Sequence, residues 1–163
     1  MDCLTCLNLR GERRISPGPF IYMGTYWVVD HAYPTSHLGW LVILPRRHIE
    51  ALHELTREEF LELAEIEYRL VQAMHADGAV EKEYLICFAK GKGFRHVHLH
   101  LVPKPADLPD ERKGPRVFAL LDVDEENAIS PASLYRFCEE FSEKLAQVPS
   151  SRLSAGSVRL SAA

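Results

Sequence analysis

His96-Val97-His98-Leu99-His100 is the stretch of this 163-residue chain whose residue types and spacing could do chemistry. On an extended strand successive side chains alternate between faces, so the three imidazoles would line one side while Val97, Leu99 and Leu101 line the other. One histidine in an apolar strand is most simply a hydrogen-bonded core residue. Three at strict alternation fit that explanation poorly, because each buried imidazole needs a polar partner and an unpaired one is costly. The row admits two chemistries. The imidazoles could bind one metal, as in three-histidine zinc sites, or they could divide the work of nucleophile, proton donor and phosphate ligand. Cys3 and Cys6 add a second feature, with the spacing of half a four-ligand zinc site. Thioredoxin-like redox chemistry is the competing use, but that pair belongs between a strand and a helix, and this one lies at the amino terminus. Cys87 and Cys138 sit in apolar-patterned segments and read as buried thiols.

The elements that must position these residues can be read from periodicity. Tyr26-Trp27-Val28-Val29 and Trp40-Leu41-Val42-Ile43-Leu44 are short apolar, partly β-branched runs bounded by turn-forming residues and by Pro45, as buried strands are. Thr56-Arg57-Glu58-Glu59 has capping-box spacing and is followed by Phe60, Leu63, Ile66, Leu70, Val71 and Met74 at three- and four-residue intervals. This predicts one long amphipathic helix stopped near Gly78. Tyr84-Leu85-Ile86-Cys87-Phe88-Ala89 predicts a strand, Gly91-Lys92-Gly93 a tight turn, and residues 94–102 the antiparallel neighbour. Ser130-Pro131 opens a second helix that runs to about Val148. Strands and helices do not alternate as βαβ units, so the order predicts an α+β domain in which helices cover one face of a mainly antiparallel sheet and leave the other for a site.

With 47 % hydrophobic and 26 % charged residues, the chain has apolar material for one core. The expected division is a single domain over residues 1–148, with a mobile tail over 149–163. A formal net charge of -4 gives no general attraction to nucleic-acid polymers or anionic membranes, so a nucleotide would need a local site. No apolar run approaches the ~20 residues of a membrane span. The amino terminus lacks a secretory pattern, and the expectation is a soluble, cytoplasmic protein.

His96-Val97-His98-Leu99-His100-Leu101-Val102, followed by Pro103-Lys104, resembles without a gap the signature of the histidine-triad (HIT) family, in which histidine and apolar residues alternate and two apolar residues close the motif. The likeness runs over roughly residues 1–105 and takes in Cys3 and Cys6, the Leu41-Val42-Ile43-Leu44-Pro45-Arg46-Arg47-His48 segment and the helix after it. It implies a five-stranded, mainly antiparallel sheet with two helices, and a homodimer. It also implies that the middle histidine, His98, is a nucleophile that attacks the α-phosphorus of a nucleotide and forms a nucleotidyl-histidine, which water or another acceptor resolves. That division is chemically reasonable, since neutral imidazole is nucleophilic near pH 7 and covalent catalysis replaces one difficult displacement with two easier ones.

His100 would contact phosphate oxygens or the leaving group, and His96 completes the triad. Lys92, with the backbone amides of Gly91 and Gly93, would meet phosphate at the mouth of the strand, although plain turn chemistry explains those residues as well. Asp30 resembles the family's acidic residue that binds ribose hydroxyls. The resemblance implies a structural zinc held by Cys3, Cys6, His48 and His96, a closed set with no vacant position for substrate water.

Two positions depart from the family pattern. Gly91-Lys92-Gly93 replaces Gly-Gln-Ser or Gly-Gln-Thr, and Trp40 stands where relatives have a histidine, with His37 nearby. The implied substrates are dinucleoside polyphosphates or nucleoside phosphoramidates, and the Pro103-Lys104 ending looks more like the polyphosphate branch. Trp40 and the altered turn motivate an alternative, a zinc-stabilised nucleotide-binding or scaffold protein with little turnover. A metallohydrolase holding one metal on all three triad histidines would leave Cys3 and Cys6 unexplained.

Overall fold

The computed structural model describes residues 3–87, 95–104 and 106–150. The chain order is α1 (Leu4–Leu9), β1 (Tyr22–Met23), β2 (Trp27–His31), β3 (Leu41–Pro45), α2 (Arg57–His75), β4 (Lys82–Ile86), β5 (Leu99–Lys104) and α3 (Pro131–Gln147), with short 3-10 stretches between them. The five strands form one antiparallel sheet in the order β1-β2-β3-β5-β4, so the α+β reading holds. The capping box forms as the spacing predicts: the Glu59 amide donates to Thr56 Oγ1 at 3.2 Å, and the Thr56 amide donates to Glu59 Oε2 at 2.7 Å. Ser130 caps α3 by accepting from the Ser133 amide at 3.2 Å.

Register places the site. Asp30 lies opposite Val42, Val42 opposite His100, and His100 opposite Ile86, and residues directly opposite share a face. The reverse face carries Trp27, Val29, Leu41, Ile43, Leu99 and Leu101 into the main core, against Leu63, Ile66 and Leu70 of α2 and Leu134, Cys138 and Phe141 of α3. Among the described residues no helix is long and apolar enough to cross a membrane.

Three details differ from the sequence expectations. A third helix, α1, precedes the sheet; it is six residues long and has no side-chain cap. The ladder of β5 begins at Leu99, so His96 and His98 precede it, and the amide of Val97 bonds instead to the carbonyl of Ile49 at 2.8 Å. The face bearing His100 is not wholly open, because the 3-10 stretch Gly114–Leu120 packs Val117 and Phe118 over Trp40 and Val102. The Gly91-Lys92-Gly93 turn and the tail from residue 151 lie outside the described residues.

Candidate active site and metal centre

Four potential ligands from three parts of the chain meet at one end of the sheet. Cys3 is the N-cap residue of α1 and Cys6 lies within it, three residues on. His48 follows β3, in a loop that Arg47 fastens to α2 through two bonds to Glu59, at 2.6 and 2.8 Å. His96 precedes β5. One ligand atom from each of Cys3, Cys6, His48 and His96 lies within 4.8 Å of every other.

The spacing fits a metal. Bonds of about 2.3 Å to sulfur and 2.05 Å to nitrogen, at tetrahedral angles, give a sulfur-to-nitrogen edge of about 3.6 Å. The separations found are 3.3 Å from Cys6 Sγ to His48 Nδ1, 3.5 Å from Cys6 Sγ to His96 Nδ1 and 3.8 Å from Cys3 Sγ to His96 Nδ1. His96 is also oriented for the task. Its Nε2–H donates to the Pro45 carbonyl at 2.9 Å, which leaves the lone pair of Nδ1 facing the thiols. Burial pushes the His96 imidazole down to about 4, so it is neutral, as a ligand must be. Burial, with Cys3 close by, pushes the Cys6 thiol up to about 11; a divalent cation would reverse that balance. The set could hold a metal ion.

The other two histidines of the row stay together. The rings of His98 and His100 meet edge to face with centroids 4.9 Å apart. His98 is half-buried, and its Nδ1–H donates to the His96 carbonyl at 2.8 Å. Its other nitrogen, Nε2, then carries the lone pair that a nucleophile needs. His100 is buried and accepts at Nδ1 a hydrogen bond from Trp40 Nε1–H at 3.0 Å. Burial, reinforced by the nearby His98, pushes its imidazole down to about 3.

The remaining expected residues fall in different places. Asp30 shares the His100 face by register, but it is 3 % exposed. It accepts from Arg14 Nη1 at 2.9 Å and Nη2 at 3.2 Å, from Asn8 Nδ2 at 3.0 Å and from the His31 amide at 2.9 Å. A carboxylate offers about four acceptor positions and these donors fill them, so a ribose hydroxyl would have to displace one. Burial raises the Asp30 carboxyl above its usual range, while the Arg14 and Asn8 bonds oppose the rise. His37 does not join the triad; its Nε2–H donates to the Pro103 carbonyl at 2.6 Å. Lys92 and Gly93 lie outside the described residues. Cys138 is buried as expected, and Cys87 is half-buried.

Sequence reasoning missed the partners. Arg14 and Asn8 lie in an aperiodic segment that gives no sign of a shared carboxylate. Phe118 has its ring edge-on to His100, with centroids 4.9 Å apart, and belongs to a stretch without strand or helix period. Trp40 stood out only as a departure, and its contact with His100 depends on the β3–β5 register.

A HIT domain family model matches residues 20–107. No curated protein matches the chain. Among solved structures, the chain is similar to a Zn-bound histidine triad family protein from Mycobacterium smegmatis, with a TM-score of 0.62 and 19 % identity over 90 % of this chain and 95 % of that one. A hypothetical histidine triad nucleotide-binding protein from Sulfolobus tokodaii gives a TM-score of 0.61 at 19 % identity, over 88 % of this chain and 92 % of that one. The Plasmodium falciparum diadenosine triphosphate hydrolase gives 0.58 at 10 % identity, over 78 % of this chain and 76 % of that one. At these identities the structural likenesses establish the fold.

Proposed function

The chain belongs to the HIT domain family, whose members hydrolyse or transfer nucleotides, and from that membership we propose that it cleaves a nucleotide at the α-phosphorus through a nucleotidyl-histidine on His98. The observation that carries the reading is the hydrogen bond from His98 Nδ1–H to the His96 carbonyl at 2.8 Å. It fixes the tautomer in which Nε2 is the nucleophile, and it steadies the imidazolium that forms when Nε2 bonds to phosphorus. His100 stands against His98 and is the donor for a phosphoryl oxygen as charge grows in the transition state. Lys92 and Gly93 enter the proposal as phosphate contacts on sequence grounds alone.

We assign zinc to Cys3, Cys6, His48 and His96, supported by the tetrahedral spacing and by the Zn-bound relative from Mycobacterium smegmatis. Four protein ligands leave no open position, so the ion supplies a crosslink between α1, the His48 loop and the segment before β5. Its effect on His98 is indirect, through the backbone carbonyl of His96.

The test uses a nucleotide labelled at the α-phosphate, rapid quenching under alkaline denaturing conditions that preserve a phosphorus–nitrogen bond, and peptide mapping. Label on the peptide containing His98 in the wild type, and none in His98→Ala, is the expected result. Undiminished turnover by His98→Ala would overturn the reading in favour of direct attack by water.

A further inference from the structure

The hydrogen bond between Trp40 and His100 can run in one direction only. An indole N–H donates and cannot accept, and it lies 3.0 Å from His100 Nδ1. His100 Nδ1 therefore presents a lone pair, and the single ring proton sits on Nε2 at the far edge. Protonating Nδ1 as well would set two N–H groups against each other.

The surroundings hold this arrangement in place. Trp40 is 0 % exposed and His100 7 % exposed. Phe118 stands edge-on to both rings, 5.3 Å from Trp40 and 4.9 Å from His100 between centroids, and keeps water from replacing the indole. The backbone that delivers Trp40 is fixed too. Gly39 has φ +87°, a left-handed conformation that favours glycine, and a Cβ there would meet Pro103 Cγ at 3.1 Å. The Gly39 amide donates to His31 Nε2 at 2.9 Å, and the Trp40 carbonyl accepts from the Ala32 amide at 2.9 Å.

We propose that Trp40 is a positioning residue that locks His100 as a neutral Nε2–H donor and thereby withdraws it as a proton source for the leaving group. The inference rests on the nucleotidyl-transfer reading above. In that step the bond from His98 Nε2 to phosphorus forms, the bond from phosphorus to the leaving atom breaks, and the electron pair departs with the leaving atom. The Nδ1 proton of His98 stays in its bond to the His96 carbonyl. No proton passes through His100, whose Nε2–H only stabilises the phosphoryl oxygens. His96 offers none either, with Nε2 bonded to the Pro45 carbonyl and Nδ1 turned to the thiols.

The consequence is discrimination by leaving group. A nucleoside phosphate departs as a stable oxyanion and needs no proton. An amine expelled from a phosphoramidate does need one. A positioned general acid is worth roughly 10²–10⁴-fold, so with no histidine of the triad serving as one the phosphoanhydride should exceed the phosphoramidate by about 10²-fold or more in kcat/KM.

The experiment has two arms, both on the full zinc-replete chain. Long-range 1H–15N correlation of the wild type, with the His100 signals assigned by their loss in His100→Ala, should show the proton on Nε2. The same spectrum of Trp40→Phe should show His100 in mixed tautomers, a change that a purely packing role for Trp40 would not produce. If Trp40→Phe fails to fold, the wild-type spectrum and the wild-type kinetics decide. A wild-type proton on Nδ1, or a His100 tautomer unchanged in folded Trp40→Phe, overturns the lock. In the kinetic arm, the wild type should prefer diadenosine triphosphate to adenosine 5′-phosphoramidate. Trp40→His, whose imidazole can accept as well as donate, should narrow the ratio about tenfold or more through kcat on the phosphoramidate. Equal wild-type turnover of the two probes overturns the proposal and leaves the nucleotidyl-histidine reading standing. Absence of any adduct or turnover with both probes overturns that reading and the leaving-group consequence with it, while the spectrum still decides the lock.

Discussion

Removing the metal should lower the melting temperature without dismantling the sheet. Three sulfur-to-nitrogen separations of 3.3 to 3.8 Å stand against a tetrahedral edge of about 3.6 Å, and no two ligand atoms are more than 4.8 Å apart, so binding consumes little energy in rearrangement. Structural zinc sites reach apparent binding energies of roughly 10–16 kcal/mol, and the weak end of that range lies within about two decades of nanomolar dissociation. Where free zinc stands about 1,000-fold above Kd, binding to the native state alone adds about 4.1 kcal/mol. For a chain of this length each kcal/mol moves the midpoint by about 2–4 °C, which gives a shift of about 8–16 °C. The main core is built from β-strands, α2 and α3, and does not include the ligands. Asn8 also keeps α1 attached through Asp30. The chelated protein should therefore stay folded at 25 °C and melt earlier in one transition. Thermal unfolding by circular dichroism, with thiols kept reduced, checks this in zinc, in chelator and for Cys6→Ser, which should melt like the chelated wild type in either buffer. Metal analysis should find about one zinc per wild-type chain. An identical wild-type midpoint in zinc and in chelator would refute the reasoning.

Other consequences follow from single contacts. Asp30→Ala removes the carboxylate from the Arg14 guanidinium, which keeps its bonds to Asn8 Oδ1 and the Gly18 carbonyl and whose side chain is 29 % exposed; breaking a fully buried pair costs about 3–5 kcal/mol, and these features lower the expectation to about 2–4 kcal/mol in urea unfolding. If Asp30 is structural, KM for the nucleotide should change less than about twofold, and a large rise in KM with unchanged stability would restore the ribose role. The Arg47 guanidinium holds the Glu59 carboxyl down to about 2, so its folded value lies below its unfolded one. The pair's contribution is thus present above the unfolded pKa of about 4.3 and is lost as pH falls through about 2. Glu59→Gln should flatten the fall in urea midpoint over that window, and a slope equal to the wild type would exclude the ion pair as its source. Phe118→Ala should open His100 to water and raise its imidazole from about 3 toward the ordinary range, as read by NMR titration. The half-buried ring should cost about 1–2 kcal/mol, below the value for a fully buried phenylalanine.

What the sequence reveals and what it conceals divide along the range of the interactions involved. The long helix is legible because Thr56 and Glu59 satisfy its first turn locally and the apolar stripe from Leu63 to Met74 repeats at helical spacing. The triad is legible because alternation needs nothing beyond the pleat: Val97, Leu99 and Leu101 do enter the core, and His98 and His100 do share the other side. The start of β5 is not legible, because residues 95–98 answer to distant groups, the Pro45 and Ile49 carbonyls and the cysteine cluster, rather than to a neighbouring strand. Helix α1 is too short to be stable by propensity. It is held by Asn8, which is 2 % exposed and bonded to Asp30. The stretch over the His100 face lies beyond the matched family region and shows no period, yet Phe118 and the carbonyl of Leu120, which accepts from Thr35 Oγ1 at 3.0 Å, fix it in place. Trp40 combines the two cases. Its apolar run marks it as buried, but the direction of its one polar group, and so the protonation of His100, depends on a pairing between β3 and β5 that joins residues sixty apart. The tautomer proposed for His100 thus follows from long-range pairing rather than from any local pattern in the sequence.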